Sequence, residues 1–142
     1  MRKPIAVFLM SSLDGLHPPY RICQALGFAR SRKAGLENEP RILADLANAY
    51  ALNGDALDAL RTVNEAIQVA SDRHARIPEC IARIVHADLL LRSEGNQEAA
   101  ETELARARAL IEETQANILT PFIDKTRERE IQINRLSNQK PL

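Results

Sequence analysis

Cys80 and Arg83 are the pair whose types and spacing come closest to a reactive site, because they lie one helical turn apart. A guanidinium near a thiol lowers the pKa of the thiol and favours the nucleophilic thiolate. The opposite expectation is a structural cysteine packed in the core beside an exposed arginine, which is the usual state of a free cysteine. We expect the structural role and no enzymatic activity. The alternative hypothesis is a small redox sensor or enzyme that uses Cys80.

The other reactive residue types lie at spacings that build no site. His74 and His86 are twelve positions apart, too far for a metal pair on one turn of a helix. His86 and Asp88 are two apart, so on a helix they point in different directions. The scattered glycines form no phosphate-binding loop followed by Lys and Ser or Thr. The sequence therefore predicts neither a metal nor a cofactor.

The composition of the 142-residue chain favours helices. Apolar residues make up 45% of it, but aromatic residues only 4%, and much of the apolar fraction is Ala and Leu. Residues 1–36 carry six Lys and Arg against one Asp, whereas residues 37–142 carry thirteen basic and eighteen acidic residues. The main body is mildly acidic, which argues against nucleic-acid binding. We expect the charge runs at residues 112–113 and 127–130 to form solvated helical faces.

Cysteine content and hydropathy bear on location. Two cysteines make no disulfide framework, and the apolar stretch at residues 5–10 is too short and interrupted for an export signal. No later window approaches the roughly 20 apolar residues of a membrane span. The sequence therefore predicts a cytoplasmic protein without a membrane segment.

The chain divides into three parts. Residues 1–36 form a basic leader, predicted as a loop with one marginal helix within residues 20–33, because Gly and Pro interrupt it. Residues 37–137 form a helical domain, and residues 138–142 a disordered tail. Helical periodicity is clear from Pro40 onward, and the last helix is predicted at about residues 119–136. Asp55 and Asn96, each directly after a glycine, are predicted to cap the helices that follow them.

Residues 46–67 and 87–108 share a spacing that predicts two stacked helical hairpins. In each copy a Gly is followed by Ala five and twelve positions later. We call the separation of the two glycines along the chain, from Gly54 to Gly95, the repeat interval. Gly allows the turn between antiparallel helices, and the two Ala lie on one face, where they allow close helix packing. The residues that carry the spacing are Gly54, Ala59, Ala66, Gly95, Ala100 and Ala107.

The segment LANAYALNGDALDALRTVNEAI, residues 46–67, resembles the tetratricopeptide repeat. Its small residue falls on Ala47 and its aromatic on Tyr50. The second copy has Asp88 and Leu91 at these positions. The region also resembles the carboxy-terminal repeats of bacterial signalling proteins, namely cyclase-linked or LuxR/MalT-type ATPases. The resemblance implies an all-α fold of antiparallel hairpins, an α-solenoid fragment with a C-terminal capping helix.

By the same resemblance, the first helix of each hairpin would line a groove for a protein or peptide partner. The groove would be small and apolar, with Ala44 where related proteins that hold acidic tails have Lys. Packing against a neighbouring helix pair is the alternative role of these residues. A first hairpin without a preceding repeat would also expose an apolar edge, which the leader, a partner or a second copy could cover. The expected groove residues are Arg41, Asn48, Leu52, Leu89 and Arg92.

Overall fold

A computed structural model of the chain describes residues 18–33, 36–93 and 95–139. These residues form six α-helices and two short 3₁₀ turns, and no strand occurs within the described ranges. The expected all-α class is therefore confirmed. The short apolar stretch at residues 5–10 and the end of the predicted tail, residues 140–142, lie outside the described residues. The helices are α1 (Pro18–Arg32), α2 (Glu39–Leu52), α3 (Ala56–Asp72), α4 (Arg76–Ser93), α5 (Gln97–Thr114) and α6 (Thr120–Asn138).

Helices α2 and α3 pack against each other as antiparallel neighbours, and so do α4 and α5. Ala47 near the end of α2 shares a buried cluster with Ala59 at the start of α3, and Leu43 at the start of α2 packs with Ala66 further along α3. In α4 and α5, the Cys80 thiol donates to the backbone oxygen of Ala107. Contacts between α2 and α4, and between α4 and α6, join the hairpins. The core therefore continues from one end of the described chain to the other.

The turn between α2 and α3 follows from Gly54. Gly54 has φ +87°, in the left-handed region that costs Gly little. Its N–H donates to the Ala51 oxygen at 3.1 Å, and the Asp55 N–H donates to the Tyr50 oxygen at 2.9 Å. These two bonds satisfy carbonyl groups that the end of a helix leaves without partners. Gly95 takes the same left-handed conformation, with φ +61°.

The two predicted helix caps differ in outcome. The side chain of Asn96 accepts a hydrogen bond from the Ala99 N–H at 3.1 Å, so this cap is confirmed. The prediction for Asp55 is wrong, because its carboxylate makes no cap hydrogen bond. It accepts instead from the side-chain amide of Asn53 at 2.9 Å. The side-chain amide of Asn53 therefore competes with the backbone N–H groups at the start of α3 for the Asp55 carboxylate.

The alanines of the predicted spacing lie at the helix contacts. Ala47, Ala59, Ala66, Ala100 and Ala107 are at most 1% exposed, so their faces meet other helices directly. Tyr50 is half-buried, and its hydroxyl lies 3.5 Å from the Cys23 sulfur on α1. Small side chains at these positions allow the helix backbones to approach closely, as the spacing of the alanines predicted.

The leader contributes α1, which spans the marginal helix predicted within residues 20–33 and packs against α2. Leu26 of α1 is buried against Leu43 and Ala44 of α2. The sequence left three possible covers for the apolar edge of the first hairpin. In the described residues, α1 of the leader packs against that edge. The last helix, α6, extends to Asn138, the first residue of the predicted disordered tail.

Glu39 fixes the corner where α1, α2 and α3 meet. Its carboxylate is 4% exposed and accepts from Arg30 of α1 and from Arg73 at the end of α3. Burial alone would raise the pKa of Glu39, but the hydrogen bonds and charges of the two arginines lower it below its ordinary value. The ionised carboxylate therefore joins three helices, at a residue that the sequence analysis did not single out.

Candidate interaction surfaces

Cys80 lies inside the contact between α4 and α5. It is 1% exposed, and its thiol is 3.4 Å from the Ala107 oxygen. Burial, and then the charge of Glu79, raises the pKa of the thiol to about 11. Since thiolate is the reactive form, this shift works against nucleophilic or redox chemistry at neutral pH. The environment matches the structural role that we expected for Cys80.

Arg83 binds carboxylates instead of activating the thiol, and the prediction that this arginine is exposed is wrong, because its side chain is 14% exposed. Its guanidinium donates to Glu79 at 2.8 Å and to Glu103 of α5 at 3.0 Å, and all three side chains are largely buried. His86 Nδ1 lies 3.6 Å from Glu103 Oε2. Burial would raise the pKa of Glu103, but the nearby His86 and Arg83 lower it. Arg76 also lies 3.5 Å from Glu79, and Arg106 lies 3.3 Å from Glu103, so the carboxylates are charge-compensated and the cluster joins α4 to α5.

The charged run at residues 127–130 is less solvated than the sequence predicted. Arg127 pairs with Glu101 of α5 at 3.0 Å, and Arg129 pairs with Asp88 of α4 at 2.7 Å. Both arginines are half-buried, so for them the prediction of a solvated face is wrong. A terminal helix covered on one side uses such long side chains to contact the domain. Glu112 and Glu113 are exposed, as predicted.

The five expected groove residues are distributed over different surroundings. Asn48 and Leu52 line a hollow beside Pro19 of α1, and Leu52 is 81% exposed. Leu89 and Arg92 border a second hollow with Ala51, Gly54, Ala56 and Ala59.

Leu89 itself is 2% exposed and packs in the core, as the packing alternative predicted for it. Arg41 is exposed and lies 3.6 Å from Asp45, one turn further along α2. Arg92 pairs with Asp88. The exposed residues of the expected groove are therefore Arg41, Leu52 and Arg92, and Asn48 is half-buried beside Leu52 at the end of α2.

Comparison with family models, with curated proteins and with solved structures finds no match to the chain. Within the described residues, no group of three or more His, Cys, Asp or Glu side chains is placed to hold a metal ion. Among the same residues, none of the helices has the length and apolar content to cross a membrane. The packing and surfaces of the helices are therefore the observations from which a function can be argued.

Proposed function

We propose that the chain is a non-catalytic, tetratricopeptide-like interaction module, built as an α-solenoid fragment with α6 as its capping helix. Its role would be regulatory, as the carboxy-terminal repeat region of a bacterial cyclase-linked or transcriptional-regulator signalling protein. The observation that carries the proposal is the stacking of alternate helices. In a solenoid, the first helix of one hairpin contacts the first helix of the next, as α2 contacts α4 here.

The geometry of the turns and the burial of the alanines support the same architecture. The left-handed glycines and the buried Ala pairs of the first hairpin recur in the second, one repeat interval later. A regular repeat of this kind presents a surface along the helix stack and needs no catalytic centre. The buried charged side chains of Glu79, Arg83 and Glu103 pair with one another, which leaves them little capacity for chemistry on a substrate.

The hollow at the end of α2 is the proposed site for a protein partner. Leu52 offers an exposed apolar side chain, and Asn48 offers an amide that can both donate and accept hydrogen bonds. Pro19 and Ala49 complete an apolar wall. This combination suits a short peptide segment with an apolar anchor and a free backbone hydrogen-bonding group.

Site-specific photo-crosslinking tests the proposed site. A benzophenone amino acid replaces Leu52, and in a matched control it replaces the exposed Glu112 of α5, in cells that naturally express the protein. We expect a discrete protein adduct from position 52 and none from position 112. No adduct at position 52, or the same adducts from both positions, would overturn the proposal.

Alkylation of the thiols tests the alternative, a redox sensor or enzyme that uses Cys80. Cys23 is half-buried and serves as the internal reference, since it lies at the contact of α1 with α2. We expect Cys80 to react with iodoacetamide only after unfolding, because both its burial and its raised pKa oppose attack. Labelling of Cys80 in the folded protein at neutral pH, as fast as that of Cys23, would favour the alternative.

A further inference from the structure

Among the described residues, three that are not glycine take the left-handed conformation, and they recur with the hairpins. They are Lys33, His74 and Gln115, with φ values of +52°, +54° and +60°. Each is one repeat interval from the next, the same separation as that of Gly54 and Gly95. Each directly or almost directly follows the end of α1, α3 or α5. Helix α1 therefore corresponds to α3 and α5, the second helices of the two hairpins.

The correspondence extends to one face of each helix. Moved along the chain by the repeat interval, the α1 residues Ile22, Ala25, Phe28 and Ala29 fall on an apolar residue of α3 and of α5 at every position. We call these four the open face of α1. Their counterparts are Val63, Ala66, Val69 and Ala70 in α3, and Leu104, Ala107, Leu110 and Ile111 in α5.

Burial separates α1 from its two counterparts. In α3 and α5 this face packs against the preceding helix of the hairpin, and Ala66 and Ala107 are fully buried there. In α1 the equivalent Ala25 is exposed and Phe28 is 59% exposed. Ile22 and Ala29, at the border of the face, are half-buried, and Ile22 packs against the core. Within the described residues, then, the open face lacks the helix that covers it in both other copies.

The charges around the open face indicate what kind of helix fits. Arg21 and Arg32 lie on the same side of α1 as Ala25 and Phe28, and the Arg32 guanidinium stacks 4.3 Å from the Phe28 ring centre. Arg21, Arg32 and Lys33 are all exposed, and the sequence from Pro18 to Lys33 contains no acidic residue. A helix that lies on this face meets basic side chains at its flanks, so acidic flanks would complement them.

We propose that the open face of α1 docks an acidic amphipathic helix of a partner protein, which completes the hairpin that α1 begins. This inference rests on the proposed function as an interaction module and adds a second surface to it. The docked helix presents apolar side chains at i, i+3 or i+4, and i+7, as α2 presents Leu43, Ala47 and Tyr50 to its neighbours. A small residue must oppose Ala25, since Ala66 and Ala107 mark a close helix contact.

A peptide that copies the covering helix tests the proposal on the full chain. The probe is residues 39–52 with a fluorescent label, a hydrocarbon staple between the exposed positions 41 and 45, and two Glu added at each end. A second probe carries Lys in place of the added Glu. Binding is measured by fluorescence anisotropy to the wild-type protein, to Ala25→Arg and to Ala109→Arg. The last variant makes the same substitution at an exposed alanine of α5, away from α1.

We expect the Glu-flanked probe to bind the wild type and Ala109→Arg equally, and Ala25→Arg at least about tenfold more weakly. The Lys-flanked probe should bind the wild type at least about fivefold more weakly. Because Ala25 and Ala109 are both exposed, circular dichroism should show the same melting for both variants and the wild type.

Lack of probe binding, or equal binding to both arginine variants, would overturn the proposal. Equal binding of the two probes would overturn the claim that the partner helix is acidic. A wild-type dimer in sedimentation velocity that Ala25→Arg dissociates would assign the open face to a second copy and overturn the partner helix. The crosslinking at position 52 distinguishes failure of this inference from failure of the proposed function. Loss of probe binding with that adduct intact refutes this inference alone, whereas loss of the adduct refutes the proposed function.

Discussion

The turn after α3 offers a sharp test of the local geometry, because His74 holds a conformation that favours glycine. Its N–H donates to the Ser71 oxygen at 3.0 Å, and the next N–H, of Ala75, donates to the Ala70 oxygen at 2.8 Å. These bonds close α3 in the same way that Gly54 closes α2. With φ at +54°, the Cβ of His74 is crowded by its own backbone. We therefore compare His74→Gly with His74→Ala.

The two variants both remove the imidazole and differ only in the Cβ atom. A left-handed non-glycine residue costs about 1–2 kcal/mol, which Gly avoids. Gly loses about 0.5–1 kcal/mol more conformational entropy on folding than Ala. The difference leaves His74→Gly more stable than His74→Ala by about 1 kcal/mol. In the right-handed middle of a helix the sign reverses, so Ala105→Gly, at an exposed position of α5, should lose about 1 kcal/mol.

Urea denaturation followed by circular dichroism measures these differences as shifts of the midpoint at a constant slope. We expect the midpoint of His74→Gly above that of His74→Ala, and that of Ala105→Gly below the wild type. If His74→Ala is as stable as His74→Gly, the residue does not hold a left-handed conformation in solution. His74 would then no longer support the alignment of α1 with α3 and α5, which uses the three left-handed residues Lys33, His74 and Gln115.

Two further predictions concern the buried ion pairs. Arg83→Met should destabilise the protein by about 3 kcal/mol, because Glu79 and Glu103 stay buried and keep only the more exposed Arg76 and Arg106 as guanidinium partners; Arg61→Met, at an exposed pair, should change the unfolding free energy by less than about 0.5 kcal/mol. Stability should also fall as pH drops below about 4.5, the ordinary carboxyl value, because Glu39 and Glu103 have lowered pKa values and must be protonated in acid. A pH series of urea midpoints checks this loss, and a flat response from pH 5 to pH 3 would contradict it.

Features encoded by neighbouring residues could be predicted from the sequence. Gly54 and Gly95 end their helices, and the alanines that follow them are buried, because turn geometry and helical period depend on short spacings. Asn96 caps α5 for the same reason. The Asp55 prediction failed because its carboxylate accepts a hydrogen bond from the side chain of Asn53 and none from the start of α3. The presence of Asp before a helix does not determine whether its carboxylate binds the helix N–H groups or a neighbouring side chain.

Features that depend on distant helices were harder to predict. Glu39 sits between Arg30 and Arg73, which lie on either side of it and far apart in the chain, so no local pattern identifies it as a joint. Leu89 was expected in a groove but lies in the core, because α4 is covered on more sides than a first helix in an isolated hairpin.

A signal for the packing of α1 was present in the sequence. Ile22 and Ala25 precede Val63 and Ala66 by the repeat interval, so the spacing that relates the two hairpins also reaches into the leader. Gly27 hides this relation, because a glycine within the segment weakens the local helical pattern. The left-handed turn at Lys33, which the structure supplies, adds a second feature that aligns α1 with the later helices.

Methyl-resolved nuclear Overhauser spectroscopy tests the central claim most directly, namely that alternate helices stack in chain order as in a solenoid. We predict contacts between methyl groups of α2 and α4 around Ala47 and Leu89, and between those of α4 and α6 around Ile84 and Ile123. Methyl contacts that link α2 directly to α6 would mean a closed bundle and would contradict the account. Missing contacts between α4 and α6 would contradict it as well.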